Sequence, residues 1–404
     1  MKIPVCPDHA CGSRSRRNFL HASAVASAAV AFRVLTEPML AAAQHKEKTF
    51  HPGAVIIDAN ENPLGPCKVA CGAIEEIAPQ GGRYSDWLTR DLGKLFTESQ
   101  GLKPDYIRVY PGSSEPLHYS VLAFTSPTKS YVTADPGYEA GMGASKVSGA
   151  RIVKVPLTKS YEHDVKAMLA AAPDAGLFYV CTPNNPTGTL TPHSAIEQLV
   201  AQKPKGSIVL VDEAYIHFAD ATSALDLVKA DQDVVVLRTF SKIYGMAGLR
   251  CGFAIARPDL LAKISSHGGW NAMPVTAVVA ATASLKQPEL VPERKRINTQ
   301  IRQNTFDWLD HHGYSYVPSV SNCFMLDTKR PAKEVIDALA ARNVFIGRIW
   351  PAWPTYTRIT VGTQAEMDTF VAEFHAVMTG AKTVGYRAPA LRRSGMLDGS
   401  WPAA

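Results

Sequence analysis

DVVVLRTFSKIYGMAGLR, residues 233–250, is an apolar run that ends abruptly in a serine, a lysine and a glycine-punctuated turn. A run this continuous, without polar alternation, reads as a strand buried on both faces. Lys242 therefore stands just past a strand end, at the mouth of a sheet. A lysine there either snorkels, with its ammonium in water and its stem over apolar surface, or it presents its amine in a partly desolvated cleft. In the cleft, burial and cationic neighbours depress its pKa and make it a nucleophile or a proton carrier.

Working outward, similar runs recur: YIRVY at 106–110, SYVTA at 130–134, RIVKV at 151–155, LFYVC at 177–181, SIVLV at 207–211 and CGFAIA at 251–256. Helical patterns such as HDVKAMLAAA and SAIEQLVAQ lie between them. This alternation predicts an α/β fold, a large domain whose mostly parallel sheet is flanked by helices on both sides. From about residue 287 the texture changes to a long polar amphipathic stretch followed by NCFMLDT, VFIGR, YTRITVG and AEMDTFVAEFHAVM, a smaller α+β domain. The expected organisation is a leader at 1–43, an N-terminal arm at 44–65, the large domain at 66–286, the small domain at 287–380 and a Gly-, Pro- and Arg-rich tail at 381–404. No internal repeat is visible.

The chain of 404 residues, 46% hydrophobic and 19% charged, can bury a large core. Its formal charge of +6 is carried by the ends: residues 1–43 hold five basic against two acidic side chains, and residues 381–404 four against one. The body between them is neutral, which argues against a nucleic-acid partner. SRSRRNFLHASAVASAAVAF near the N-terminus is too short and too weakly apolar for a stable membrane anchor. Built on Ser15, Arg16, Arg17, Phe19 and Leu20 and followed by AAA at 41–43, it resembles a twin-arginine export signal. That resemblance implies passage through the twin-arginine translocation machinery, a mature start near Gln44 and a periplasmic or exported location. Cys6 and Cys11 would leave with the leader, and Cys67, Cys71, Cys181, Cys251 and Cys323 are too scattered for a disulfide framework. Cys67 and Cys71 read as helix packing, and His311 and His312, ahead of Gly313, as a helix C-terminus. No metal site is expected.

Ligands of open parallel sheets bind at the carboxyl ends of strands, so the residues after each apolar run matter most. PGSSEPL follows YIRVY and offers Gly112, Ser113 and Ser114 at a helix start, where backbone N–H groups can face a phosphate. DPGYEAG offers Tyr138, TPNNPTGT offers Asn185, and DEAY offers Asp212 and Tyr215. Ser241, Lys242 and, eight residues on, Arg250 complete the set. Singly these are caps, turns and surface charges. Together with NENPLGP and RITVGT they are similar to the ordered motifs of fold-type I pyridoxal-phosphate-dependent aminotransferases, in particular the histidinol-phosphate aminotransferase branch, over roughly residues 55–378.

The resemblance implies pyridoxal 5'-phosphate as cofactor and a role for each matching residue. Lys242 would hold the cofactor aldehyde as an imine and, once displaced, shuttle a proton. Asp212 would pair with the ring nitrogen; Tyr215 and Asn185 would hydrogen-bond the ring oxygen; Tyr138 would stack on the ring face. Gly112, Ser113, Ser114, Ser241 and Arg250 would hold the phosphate, and Tyr84, in GGRYSDW, would reach the phosphate of a neighbouring subunit in a homodimer. Arg358 would grip the substrate α-carboxylate through two parallel hydrogen bonds, with Asn322 nearby and Arg348 toward the distal group. The implied activity is ping-pong transfer of an amino group from an amino acid, or a histidinol-phosphate-like amine, to a 2-oxo acid. A decarboxylase or an oxidase on the same scaffold, or a non-catalytic periplasmic binding protein, are the alternatives. At least one of Trp350, Trp353 and Tyr356, in IGRIWPAWPTYTR, is expected to line the distal pocket and select a flat, apolar or cationic side chain. The Lys242 amine is expected below its ordinary pKa, with Arg250, the ring nitrogen and restricted water as causes.

Overall fold

The structure is a computed structural model describing residues 34–42, 51–269 and 272–381. The twin-arginine stretch, the leader end at residue 43 and the tail from 382 lie outside the described residues. From Leu35 onward these residues belong to one compact unit; of the preceding unit only Val34 is described. The last part of the expected leader is a short helix, Glu37–Ala42.

Strand β1 (Val55–Ile57) comes first. Next are β2 (Ile107–Tyr110), β3 (Ser130–Asp135), β4 (Ile152–Pro156), β5 (Ala175–Cys181), β6 (Ile208–Asp212), β7 (Val234–Thr239) and β8 (Gly252–Ile255). Each coincides with one of the apolar runs. They form one seven-stranded sheet in the order β2-β8-β7-β6-β5-β3-β4. Strands β3 to β7 pair in parallel, whereas β8 runs antiparallel to both β7 and β2, so β2 points the same way as β7. Strands β5 to β8 are buried along their whole lengths, as their unbroken apolar sequence requires when helices cover both faces.

The remaining strands are β9 (Ser315–Tyr316), β10 (Cys323–Asp327), β11 (Val344–Ile346) and β12 (Tyr356–Thr360). β12, β10 and β9 make an antiparallel sheet, and β1 pairs in parallel with β11. Alternation along this sheet sorts side chains by face. Ile359 lies opposite Phe324, and both enter a core with Phe306, Leu326, Phe370 and Phe374. Arg358 lies opposite Met325, and Met325 packs instead with Val317 and Trp350. The lobe boundary expected at 286–287 falls between the helices Val275–Leu285 and Leu290–His311. The latter ends at the histidine pair, as the sequence indicates. All five cysteines from Cys67 on are free. No helix among the described residues is long and apolar enough to cross a membrane.

Candidate active site

The carboxyl ends of β5, β6 and β7 lie side by side: Cys181 is in register with Asp212, and Asp212 with Leu237. The loops leaving those ends enclose a cavity of about 270 Å³. Lys242, Asp212, Tyr138, Ser114, Arg250 and Asn185 line it. Tyr215, Ser113 and Ser241 also line it, so nine of the residues singled out in the sequence share one wall.

Lys242 is buried, and its Nζ donates to the backbone oxygen of Asn60 at 2.9 Å and more weakly to that of Ala59 at 3.4 Å. Burial pushes its pKa below the ordinary value; Glu37 opposes this and Arg358 adds to it. The expected direction is present, but the cation contributing is Arg358 rather than Arg250. The ammonium sits 5.5 Å from the centre of the Tyr215 ring. The phenol oxygen of Tyr215 accepts a hydrogen bond from Asn60 Nδ2 at 3.0 Å.

Asp212 ends β6 with its carboxylate buried. Tyr179 Oη donates to Oδ2 at 2.9 Å and the Ala214 backbone N–H to Oδ1 at 3.1 Å. Burial nevertheless pushes its pKa up to about 6, with these hydrogen bonds and Lys242 acting the other way. A carboxylate desolvated to this degree is poised to take a cationic partner.

The phosphate side is assembled from β2, β7 and the turn after Lys242. The helix Ser114–Phe124 opens at Ser113 with no side chain capping it, leaving its first N–H groups available to an anion. Gly112, at φ +90°, permits the close approach of Arg250, because a Cβ there would run into the guanidinium. Arg250 Nη1 donates to Ser241 Oγ at 3.3 Å and Nη2 to the Pro111 oxygen at 3.1 Å, which ties the two halves of the cradle together.

The side expected to face substrate comes from β12 and the segment before it. Arg358 is fully buried. Its Nη1 donates to Asn185 Oδ1 at 2.9 Å, and its Nη2 to the Asp58 oxygen and to Glu37 Oε1, both at 2.6 Å. Arg348, also buried, donates through Nη1 to Glu139 Oε2 at 3.0 Å and through Nη2 to Glu37 Oε2 at 3.4 Å. Trp350 is buried as well, its indole N–H bonded to the Gly137 oxygen at 2.8 Å. The Arg348 and Arg358 guanidinium carbons lie 4.5 and 5.6 Å from its ring centre. Trp350 is thus a platform behind the two arginines, and none of Trp350, Trp353 and Tyr356 lines the cavity, contrary to the expectation for this segment. Trp353 and Tyr356, both partly buried, pack against the Trp350 cluster because the segment folds back on itself.

Asn322 is buried near the same arm rather than in the cavity wall, its amide donating to the Asn60 and Glu61 oxygens at 3.2 and 3.4 Å. Tyr84 is 75% exposed and outside the cavity, which a role toward another subunit requires. The sequence reading passed over Asn60, Tyr179, Glu139 and Glu37. Asn60 stands in the quoted NENPLGP motif, but its positive φ of 53° and its contacts are tertiary facts. His217 meets Arg238 Nη1 at 3.0 Å beside the buried Arg238–Glu213 ion pair. Burial, with Arg238 adding to it, holds its pKa down to about 3.

A dianionic phosphate, a ring nitrogen that can carry a proton and an aldehyde need a cationic cradle, a buried carboxylate and a primary amine. Arg250 with the helix start, Asp212 and Lys242 fit those three needs within one cavity. Comparison with known proteins agrees. Residues 54–374 match the aminotransferase class I and II family. The chain is 32% identical over 327 residues to a histidinol-phosphate aminotransferase of Moorella thermoacetica, covering 79% of this chain and 84% of that protein. It is 31% identical over 331 residues to an aromatic amino acid aminotransferase of Cutibacterium acnes, covering 81% and 93%. The solved structure of histidinol-phosphate aminotransferase from Sinorhizobium meliloti, in complex with pyridoxal-5'-phosphate, superposes with a TM-score of 0.77 at 25% identity, covering 91% of this chain and 98% of that one. The chain belongs to the aminotransferase class I and II family and is a pyridoxal-phosphate-dependent aminotransferase.

Proposed function

We propose that the enzyme moves an amino group from an amino acid to a 2-oxo acid in two half-reactions, with Arg358 holding the α-carboxylate of each in turn. The observation that carries this reading is the buried Arg358 guanidinium, which already holds a carboxylate beside the cavity of Lys242. Pyridoxal phosphate, when bound, supplies an aldehyde for the amine and a ring that stabilises the electron pair left when the α proton departs. Lys242 would hold it through Nζ, and the same amine, its pKa lowered by burial, would be the group positioned to accept a proton from the α carbon and return it. Asp212 would pair with the ring nitrogen, Tyr138 and Asn185 would orient the ring, and Arg250, Ser241 and the helix start at Ser113 and Ser114 would hold the phosphate. Arg348, whose backbone oxygen accepts from the Arg358 N–H at 3.1 Å and whose guanidinium is paired with Glu139, would lie toward the distal part of the substrate and suits an amine with an anionic or polar far end.

The active form is a homodimer that completes each phosphate site with Tyr84 of the neighbouring copy. Tyr84 and Trp87, exposed at 75% and 54%, are aromatic side chains at the start of the helix Asp86–Gln100 that a second copy would cover. The protein is exported through the twin-arginine machinery and works in the periplasm or beyond. Its support is the Ser15 to Leu20 motif and the small residues before Gln44.

The test is a donor and acceptor screen on the cofactor-loaded chain, before and after cleavage between Ala43 and Gln44. Conversion of bound cofactor to its amine form by an amino acid, reversed by a 2-oxo acid, supports the reading. Carbon dioxide or peroxide instead would identify a decarboxylase or an oxidase, and an unchanged spectrum a binding protein. Borohydride should fix the cofactor mass on Lys242, and the Lys242→Ala chain should gain none.

A further inference from the structure

The helix Glu37–Ala42 belongs to the segment expected to be removed on export, yet Thr36, Glu37 and Pro38 form part of the wall of the active-site cavity. Glu37 is the point of attachment. Its Oε1 accepts from Arg358 Nη2 at 2.6 Å and lies 3.3 Å from Arg348 Nε. Its Oε2 accepts from Asn185 Nδ2 at 3.3 Å and from Arg348 Nη2 at 3.4 Å. Around it the segment is held by other means: the Leu35 backbone N–H donates to His118 Nε2 at 3.0 Å, and Ala41 is buried.

Among the described residues no other carboxylate pairs with Arg358. A fully buried guanidinium left without an anion is strongly unfavourable, so Arg358 is built to receive one, and in this chain the leader supplies it. Burial alone would raise the Glu37 pKa, but Arg358, Arg348 and Lys242 together bring it down to about 2, so it is ionised throughout the physiological range. Asn185, expected to serve the cofactor ring, is instead bonded on one side to Arg358 and on the other to Glu37.

We infer that residues 35–42 are an intramolecular plug in which the Glu37 carboxylate takes the place of the substrate carboxylate on Arg358 and Arg348, so that the unprocessed chain can hold its cofactor but excludes amino acids and 2-oxo acids. The cofactor cavity stays open beneath the plug, since Lys242, Asp212, Ser113, Ser114 and Arg250 all border the same empty space. A tethered competitor works at the high local concentration its short connection imposes, which raises the apparent KM of a free substrate without touching the groups that act on it. Removal of the leader then unlocks the enzyme. This rests on the reading of Arg358 as the substrate-carboxylate anchor.

The experiment uses the full chain carrying a specific protease site between Ala43 and Gln44, folded and loaded with pyridoxal phosphate before cutting. Half-reaction rates with an amino-acid pool are measured on the uncut chain, the cut chain and the uncut Glu37→Gln chain, together with hydrogen exchange of residues 35–42. The expected result is an apparent KM about tenfold or more higher in the uncut chain than in the cut one. The uncut Glu37→Gln chain should behave like the cut chain, and amides protected in the uncut chain should lose protection in Glu37→Gln. Equal KM before and after cutting, or unprotected amides at 35–42 in the uncut chain, overturns the plug. If no form reacts with any amine, the aminotransfer reading fails. In that case exchange alone decides the plug: protection that Glu37→Gln abolishes supports it, and protection that Glu37→Gln leaves intact overturns it.

Discussion

Asp212→Asn separates what this carboxylate does to the fold from what it does for the cofactor. In the cofactor-free chain Asp212 is 3% exposed, and burial lifts its pKa from 3.8 to about 6. At about 1.4 kcal/mol per unit, keeping it charged at neutral pH costs the folded state about 3 kcal/mol relative to the unfolded chain. The folded pKa exceeds the unfolded one, so the penalty is absent below pH 3.8, grows up to about pH 6 and is complete above it. An asparagine escapes the penalty but offers one acceptor oxygen where the carboxylate accepts from both Tyr179 and Ala214, a loss of about 1 kcal/mol. The stripped Asn variant should therefore be more stable than the stripped wild type by about 2 kcal/mol at pH 7.5, a Tm increase on the order of 2–3 °C for a chain of this size. The gain should fade to nothing, or turn slightly negative, below pH 4. With pyridoxal phosphate bound the order should invert, because the variant has lost the anion that balances a protonated ring nitrogen. Calorimetry of both stripped proteins from pH 3.5 to 8, alongside cofactor titrations, measures every part of this. A stripped variant less stable than wild type at pH 7.5, or a gain that ignores pH, would refute the reasoning.

Arg358→Lys should raise KM for amino acid and 2-oxo acid about 10- to 100-fold in steady-state assays of a chain starting at Gln44, because a point charge cannot reproduce two parallel hydrogen bonds. Gly112→Ala should weaken cofactor retention at least about tenfold in equilibrium dialysis with little change in far-UV circular dichroism, since the new methyl group displaces the Arg250 guanidinium and the φ of +90° is strained for alanine. Trp350→Ala should cost about 3–5 kcal/mol in chemical denaturation, because it empties the space behind both guanidinium groups. An unchanged midpoint would mean that the indole is not the support described here.

The seven-stranded sheet was legible because parallel strands buried on both faces are written as unbroken apolar runs, and VVVLR, SIVLV and LFYVC each proved to be one. Lys242, Asp212, Arg250 and Asn185 were legible because each directly follows such a run or lies in its connecting turn. What the sequence did not disclose depends on long-range packing. Trp350 was expected in the pocket because an aromatic between two arginines invites that reading; its burial among Val317 and Met325 follows from how β10 and β12 pair. Asn60 sits 182 residues from the lysine it contacts, and no local pattern announces such a contact. Glu37 was counted only as one of two acidic residues in a basic leader. Its role emerges once Arg358, 321 positions later, is seen to have no other carboxylate paired with it among the described residues.

The three-residue strand β1 governs more than its length suggests. Its register against β11 fixes the direction in which Asp58, Ala59 and Asn60 leave it, and the main-chain oxygens of those three receive Arg358 and Lys242. One peptide stretch thus aims both the side chain proposed to grip substrate and the side chain proposed to bear the vitamin. Anyone choosing a recombinant start site downstream of Ala43 has little room: a start beyond His51 begins to fray the pairing, and one beyond Ile57 misaligns both side chains at once.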